Sequence, residues 1–159
     1  MTARLFGFAF TRFNISARTL YGLSNIDHRY LLWGEASMGS YLKLLIENQP
    51  KYILGMGIYT GKDKDYIKIE TVCTNQFRRS FMSEDSLLTQ SINPFVQESG
   101  LCLFSQSIGT SYCNLISWKI MSAISNGNLK SQYTFLHIPK LMNVEASTLD
   151  VQNLINNII

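Results

Sequence analysis

Residues 101–139 read LCLFSQSIGTSYCNLISWKIMSAISNGNLKSQYTFLHIP, and this stretch decides the fold class. Its two apolar runs, Leu101–Phe104 and Tyr133–Ile138, show no polar alternation, which is typical of strands buried on both faces. Between them, apolar residues recur at helical spacing over 116–124, and the polar breaker at 126–128 ends the pattern. Strand, helix and strand in succession predict an α/β domain with parallel strands.

The same alternation continues over the rest of the chain. Further continuous apolar runs predict strands at Leu5–Phe10, Tyr30–Trp33 and Tyr52–Met56. Helical spacing predicts helices around residues 38–46, 88–96 and 151–158, the last with Ser147 as its N-cap. Alternating polar and apolar residues predict an exposed or edge strand at Tyr66–Val72. The whole chain, 1–159, is therefore predicted to be one three-layer α/β/α domain, with a mostly parallel twisted sheet and helices on both faces.

Composition excludes several classes of protein. With 46% hydrophobic and 16% charged residues, the chain has too much apolar character for intrinsic disorder. A net charge of +3 without a basic stripe argues against nucleic-acid binding, and no apolar run is long enough to span a membrane. Three cysteines without CxxC spacing indicate neither a disulfide framework nor a zinc or other metal site. Reduced thiols fit a cytoplasmic location.

Three residues at predicted strand ends have side chains suited to nucleophilic catalysis. Cys113 lies in the first turn of the helix that follows Leu101–Phe104, where unpaired backbone N–H groups are expected to lower its pKa and to stabilise an oxyanion. His137 ends a strand and can serve as the base, and Glu70 can orient its ring. Taken one by one, the same residues are more typical of a core thiol, a structural histidine and a solvated glutamate.

Several motifs, in chain order, resemble the pyroglutamyl peptidase I (pyrrolidone carboxyl peptidase) family of cysteine peptidases. Glu70 is followed five residues later by asparagine, Ser107–Asn114 resembles the family segment SAGxxxCN, and His137-Ile-Pro139 resembles its HVP segment. The N-terminal GFAF at residues 7–10 is similar to the family's GFGPF, and KYILGMGIYTG at 51–61 to its strand and glycine turn.

The resemblance implies a Glu70, Cys113 and His137 triad that removes N-terminal pyroglutamyl residues through a thioester, with no cofactor. The implied substrate is a small peptide with a blocked N-terminus, bound near Tyr112. Phe8, with either Phe10 or Phe13, is expected to enclose the flat lactam ring.

The chain also departs from the family pattern. The interval between Asn75 and Gly100 is shortened, the loop that helps enclose the substrate has no clear counterpart, and neither Arg78 nor Arg79 matches the family arginine in register. Two alternatives therefore stay open: a related thiol amidohydrolase or peptidase with altered specificity, and an inactive binding homologue. The sequence also leaves open whether the chain forms a homo-oligomer.

Overall fold

A computed structural model describes residues 4–11, 14–62, 65–82 and 87–159. Eight strands and four helices follow one another in these ranges. They are β1 (Leu5–Phe10), α1 (Ile15–Gly22), β2 (His28–Leu32), α2 (Glu35–Asn48), β3 (Tyr52–Tyr59), β4 (Ile67–Glu70), β5 (Val72–Thr74), β6 (Thr89–Ser91), β7 (Cys102–Ser105), α3 (Tyr112–Ser125), β8 (Gln132–Pro139) and α4 (Val144–Asn156). Alternation of strand and helix over most of the chain confirms the predicted α/β class.

The main sheet has six strands in the order β2-β1-β3-β8-β4-β7. All neighbouring strands are parallel except β4 and β8, which are antiparallel, so the sheet is mixed but mostly parallel as predicted. β5 and β6 form a separate antiparallel pair. β4 and β8 pair in antiparallel fashion, with Lys68 directly opposite His137. Glu70 lies two residues after Lys68 on the same face of β4, so it is the diagonal neighbour of His137.

Helices cover both faces of this sheet and create two hydrophobic cores. One core joins α2 and α3 to the sheet face that carries Phe8 and Phe135, and the other joins α1 and α4 to the face that carries Leu54 and Leu136. These continuous apolar strands are buried on both faces, which is why they lack polar alternation. Among the described residues, no helix is both long and apolar enough to cross a membrane.

The predicted helix over 88–96 is wrong. This segment contains β6 followed by irregular chain with a bend at 95–96. Its apolar residues do not share one face, because Ile92 packs into the α2–α3 core and Val96 into the α1–α4 core. Leu88 is exposed instead. Pro94, which would interrupt a helix, lies in the irregular chain.

Two other expectations need correction. The segment Tyr66–Val72 is not one edge strand: β4 lies between β8 and β7, and Val72 begins β5 in the other sheet. The N-cap of α4 is Asn143, whose side chain accepts from the Ala146 N–H. The predicted cap, Ser147, lies inside the helix.

Helix α1 was not predicted from the sequence. Its N-cap is Asn14, whose side-chain oxygen accepts a hydrogen bond from the Ala17 N–H. Eight residues are too few for a clear helical repeat, so the asparagine cap was the main available signal.

Candidate functional site

Glu70 and His137 form a buried hydrogen-bonded pair. The Oε1 atom of Glu70 lies 2.8 Å from Nδ1 of His137, and both side chains are almost wholly buried. The second carboxylate oxygen accepts from the backbone N–H of Ser107 at 3.0 Å. Because a carboxylate only accepts hydrogen bonds, Nδ1 is the donor of this pair, and a neutral imidazole in this tautomer has Nε2 as its acceptor.

The side chains of Cys113 and His137 both lie next to Gly57. Gly57 on β3 is the direct ladder partner of His137 on β8. A Cβ atom placed on Gly57 would lie 2.5 Å from the Cys113 Sγ and 3.5 Å from the His137 Cδ2, the ring carbon bonded to Nε2. The sulfur and the acceptor side of the imidazole therefore share the space that a side chain at residue 57 would fill.

The thiol of Cys113 differs from its expected state. Cys113 lies in the first turn of α3, as predicted, two residues after the N-cap Ser111. Burial nevertheless raises its pKa to about 12, and the hydrogen bond from its own backbone N–H offsets this only in part. The expectation of a lowered pKa is therefore wrong, because loss of water around the charged form outweighs the helix N-terminus. At neutral pH the thiol is protonated.

Asn114, the next residue of α3, holds the chain that follows β4. Its Oδ1 accepts from the Thr74 N–H at 2.8 Å, while its Nδ2 donates to the carbonyls of Thr74 and Gln76 at 2.9 and 2.7 Å. Asn75 in turn binds the Met82 N–H and the Leu87 carbonyl. The start of α3 is thus fixed to the segment that leaves Glu70.

A cavity of about 400 Å³ opens beside Cys113. Among the residues expected to bind substrate, Phe10 and Tyr112 line it. Phe8 does not, because its fully buried ring packs in the core, 5.2 Å from the Tyr41 ring centre. Phe13 lies outside the described residues. The remaining lining residues are Thr11, Asn14, Leu32, Trp33, Gly34, Ile58 and Ser111.

Of the two arginines left open by the sequence, the structure places Arg78 near this cavity. Its guanidinium carbon lies 5.7 Å from the ring centre of Tyr112 and 5.1 Å from that of Phe77. Its backbone N–H donates to the Thr110 carbonyl at 2.7 Å, which ties this turn to the loop before α3. In the described part of the chain, no group of three or more histidine, cysteine or acidic residues could hold a metal ion.

Comparison with solved structures gives close matches in fold at low sequence identity. Pyroglutamyl peptidase I from Bacillus amyloliquefaciens matches with a TM-score of 0.80 at 16% identity, over 97% of this chain and 93% of that chain. The chain has the pyroglutamyl peptidase fold. Pyrrolidone carboxyl peptidases from Thermococcus litoralis (TM-score 0.77, 14% identity, 98% and 92% of the two chains) and Thermus thermophilus (0.76, 16%, 95% and 98%) match similarly. No protein-family model matches the sequence. A search of curated proteins likewise finds no match.

Within this pyroglutamyl peptidase fold, three groups that form part of the site were not predicted from the sequence. They are Gly57 beneath the sulfur, the Ser107 N–H on Glu70, and the Asn114 side chain that holds 74–76. The repeated glycines of GMG and the Cys-Asn pair were visible signals for two of them. The Ser107 contact is made by a backbone atom, for which residue type gives no signal.

Proposed function

We propose that this protein is a cysteine peptidase that removes an N-terminal pyroglutamyl residue from small peptides through a thioester. The observation that carries the proposal is the convergence of Cys113 and the Glu70–His137 pair over Gly57. The shared fold with pyroglutamyl peptidases supports it. Three unpaired thiols fit the reducing cytoplasm as the place of action.

The raised pKa of Cys113 determines how the nucleophile is activated. Since the resting thiol is neutral, His137 acts as a general base: Nε2 takes the thiol proton as the sulfur attacks the substrate carbonyl. Glu70 holds the ring and stabilises the imidazolium that forms. The backbone N–H groups of the first turn of α3, around Tyr112 and Cys113, have no carbonyl partner within the helix and stabilise the oxyanion.

Collapse of the tetrahedral intermediate breaks the carbon–nitrogen bond. The proton on His137 passes to the leaving amine, and the pyroglutamyl group stays on Cys113 as a thioester. His137 then takes a proton from water, whose oxygen attacks the thioester carbonyl. The acid product leaves as the proton returns to the sulfur, so that each cycle consumes one peptide bond and one water molecule.

The composition of the cavity favours a blocked N-terminus. None of its described lining residues is an aspartate or glutamate, so these residues offer no countercharge to a free α-ammonium group. Its volume of about 400 Å³ lies in the range of small-molecule sites, and Phe10 and Trp33 provide apolar faces for a flat neutral ring.

A second candidate is a thiol peptidase of the same mechanism with another N-terminal specificity. The position of Phe8 favours it, because this ring belongs to the core and cannot form one side of an aromatic clamp. Values of kcat/KM for pyroglutamyl, prolyl and alanyl aminocoumarin amides separate the two candidates. The proposal expects turnover of the pyroglutamyl amide above the others and loss of activity in Cys113→Ala. Preference for prolyl or alanyl amides supports the second candidate, and unchanged activity in Cys113→Ala excludes both.

A further inference from the structure

A second groove continues the cavity at Cys113 along the edge of the sheet. It has a volume of about 650 Å³ and shares Thr11, Leu32 and Trp33 with the cavity. Its other lining residues are Tyr21, Arg29, Tyr30 and Leu31. The two spaces therefore meet at the carboxyl end of β2, and the groove runs from there toward the start of that strand.

The groove lies along a strand edge that is open in the described structure. β2 is the first strand of the six-stranded sheet, and within the described ranges only β1 pairs with it. Successive side chains point to opposite faces, as Tyr30 packs with the α2–α3 core and Leu31 with the α1–α4 core. An open edge of this kind can accept one more extended chain.

We propose that this groove, which we call the edge groove, binds the part of the peptide substrate that follows the scissile bond. The inference rests on the proposed function. With the carbonyl at Cys113, the downstream residues must leave the cavity, and the edge groove adjoins it at Thr11, Leu32 and Trp33. The peptide then runs from the end of β2 toward its start, so it adds to the sheet as an antiparallel strand.

The edge groove also indicates which peptides fit. At about 3.3 Å per residue, the five residues of β2 accommodate about four substrate residues. Tyr21 and Trp33 are 59% and 72% exposed, and the Trp33 ring stacks on Tyr30 with an interplanar angle of 13°. The Arg29 guanidinium donates hydrogen bonds to the carbonyls of 20, 23 and 26, in the last turn of α1 and the loop after it. The preferred substrates are therefore blocked oligopeptides with apolar or aromatic side chains after the scissile bond.

Chain-length dependence of turnover tests the inference. We expect kcat/KM to rise about tenfold from pyroglutamyl-alanine amide to pyroglutamyl-alanyl-phenylalanyl-alanyl-leucine amide, since each added aromatic or apolar contact contributes a fewfold gain. Tyr21→Ala should lower the ratio of long to short substrate about threefold. The matched control is Leu149→Ala, an equally exposed helical position at 61% that lies outside both spaces and should leave the ratio unchanged.

A binding measurement separates the edge groove from the chemistry. In Cys113→Ala, the long peptide should slow amide hydrogen exchange over 29–33, while the short amide should not. Turnover with equal kcat/KM for both substrates would overturn the inference and leave the proposed function standing. If no pyroglutamyl substrate is turned over, the proposed function fails. Amide hydrogen exchange then tests the edge groove alone: slower exchange over 29–33 with the long peptide supports binding there, and unchanged exchange refutes it.

Discussion

Substituting Gly57 by alanine should separate the sulfur from the imidazole without changing either residue. The new Cβ would lie 2.5 Å from the Cys113 Sγ, whereas ordinary van der Waals contact begins at 3.4 Å. The sulfur or the backbone at residue 57 must therefore move by about 1 Å, whereas the His137 ring carbon, at 3.5 Å, is already at ordinary contact distance. A misplacement of about 1 Å costs about 100-fold in rate. We expect Gly57→Ala to lower kcat/KM for a pyroglutamyl aminocoumarin amide by about two orders of magnitude.

Two other glycines give matched controls. At Gly55 a Cβ would meet the rings of Phe8 and Phe135, the latter at 2.7 Å, so Gly55→Ala overpacks the core without touching the sulfur. At Gly39 in α2 nothing lies within 4 Å, so Gly39→Ala should keep full activity and gain up to about 1 kcal/mol of stability.

The assay combines kcat/KM with the free energy of unfolding in urea for all three variants. Overpacking alone should cost about 1–3 kcal/mol in both strand variants, and only Gly57→Ala should lose activity beyond its loss of folded protein. A folded Gly57→Ala protein with wild-type kcat/KM would show that catalysis does not depend on the approach of Cys113 and His137 next to Gly57.

The remaining predictions concern the triad, the loop anchor and the thiols. Glu70→Gln should lower kcat less than Cys113→Ala, because it keeps a ring partner and removes only the charge that stabilises the imidazolium; steady-state kinetics would contradict this if Glu70→Gln were the more damaging. Asn114→Ala should cost about 3 kcal/mol by leaving buried backbone groups unpaired, and a loss below about 0.5 kcal/mol in urea unfolding would refute it. Burial raises the pKa of Cys73, Cys102 and Cys113 to about 12, so the unfolded chain loses these protons first as the pH rises. The contribution of the thiols to the unfolding free energy is therefore constant below about pH 9, and the unfolding free energy should fall between about pH 9 and pH 12. An unfolding free energy that rises over this alkaline range would contradict it.

The order of strands and helices was largely predictable because burial on both faces leaves uninterrupted apolar runs. Leu5–Phe10 and Tyr133–Ile138 are strands for this reason. The pattern fails where neighbouring apolar residues serve different cores, as Ile92 and Val96 do. The pattern also fails for β4, in which polar and apolar residues alternate as they would in an edge strand. This strand lies inside the sheet, and its Glu70 faces His137 rather than solvent.

For the candidate site, residue types and chain order were predictable but the local environment was not. Motif spacing indicated Glu70, Cys113 and His137, whereas the space they share depends on the register that sets Gly57 beside His137. The pKa of the thiol depends on how much water reaches it, which the surrounding elements fix. Phe8 illustrates the same limit, because a strand sequence does not say which of its aromatic rings reach a cavity and which stay in the core.

The central claim is that Cys113 carries the pyroglutamyl group during turnover. Acid quenching during hydrolysis of a pyroglutamyl aminocoumarin amide, followed by intact-mass analysis and peptide mapping, observes that thioester directly. We expect one pyroglutamyl adduct, mapped to the peptide containing Cys113, and its absence in Cys113→Ala. An adduct on Cys73 or Cys102, or turnover that continues in Cys113→Ala, would contradict it.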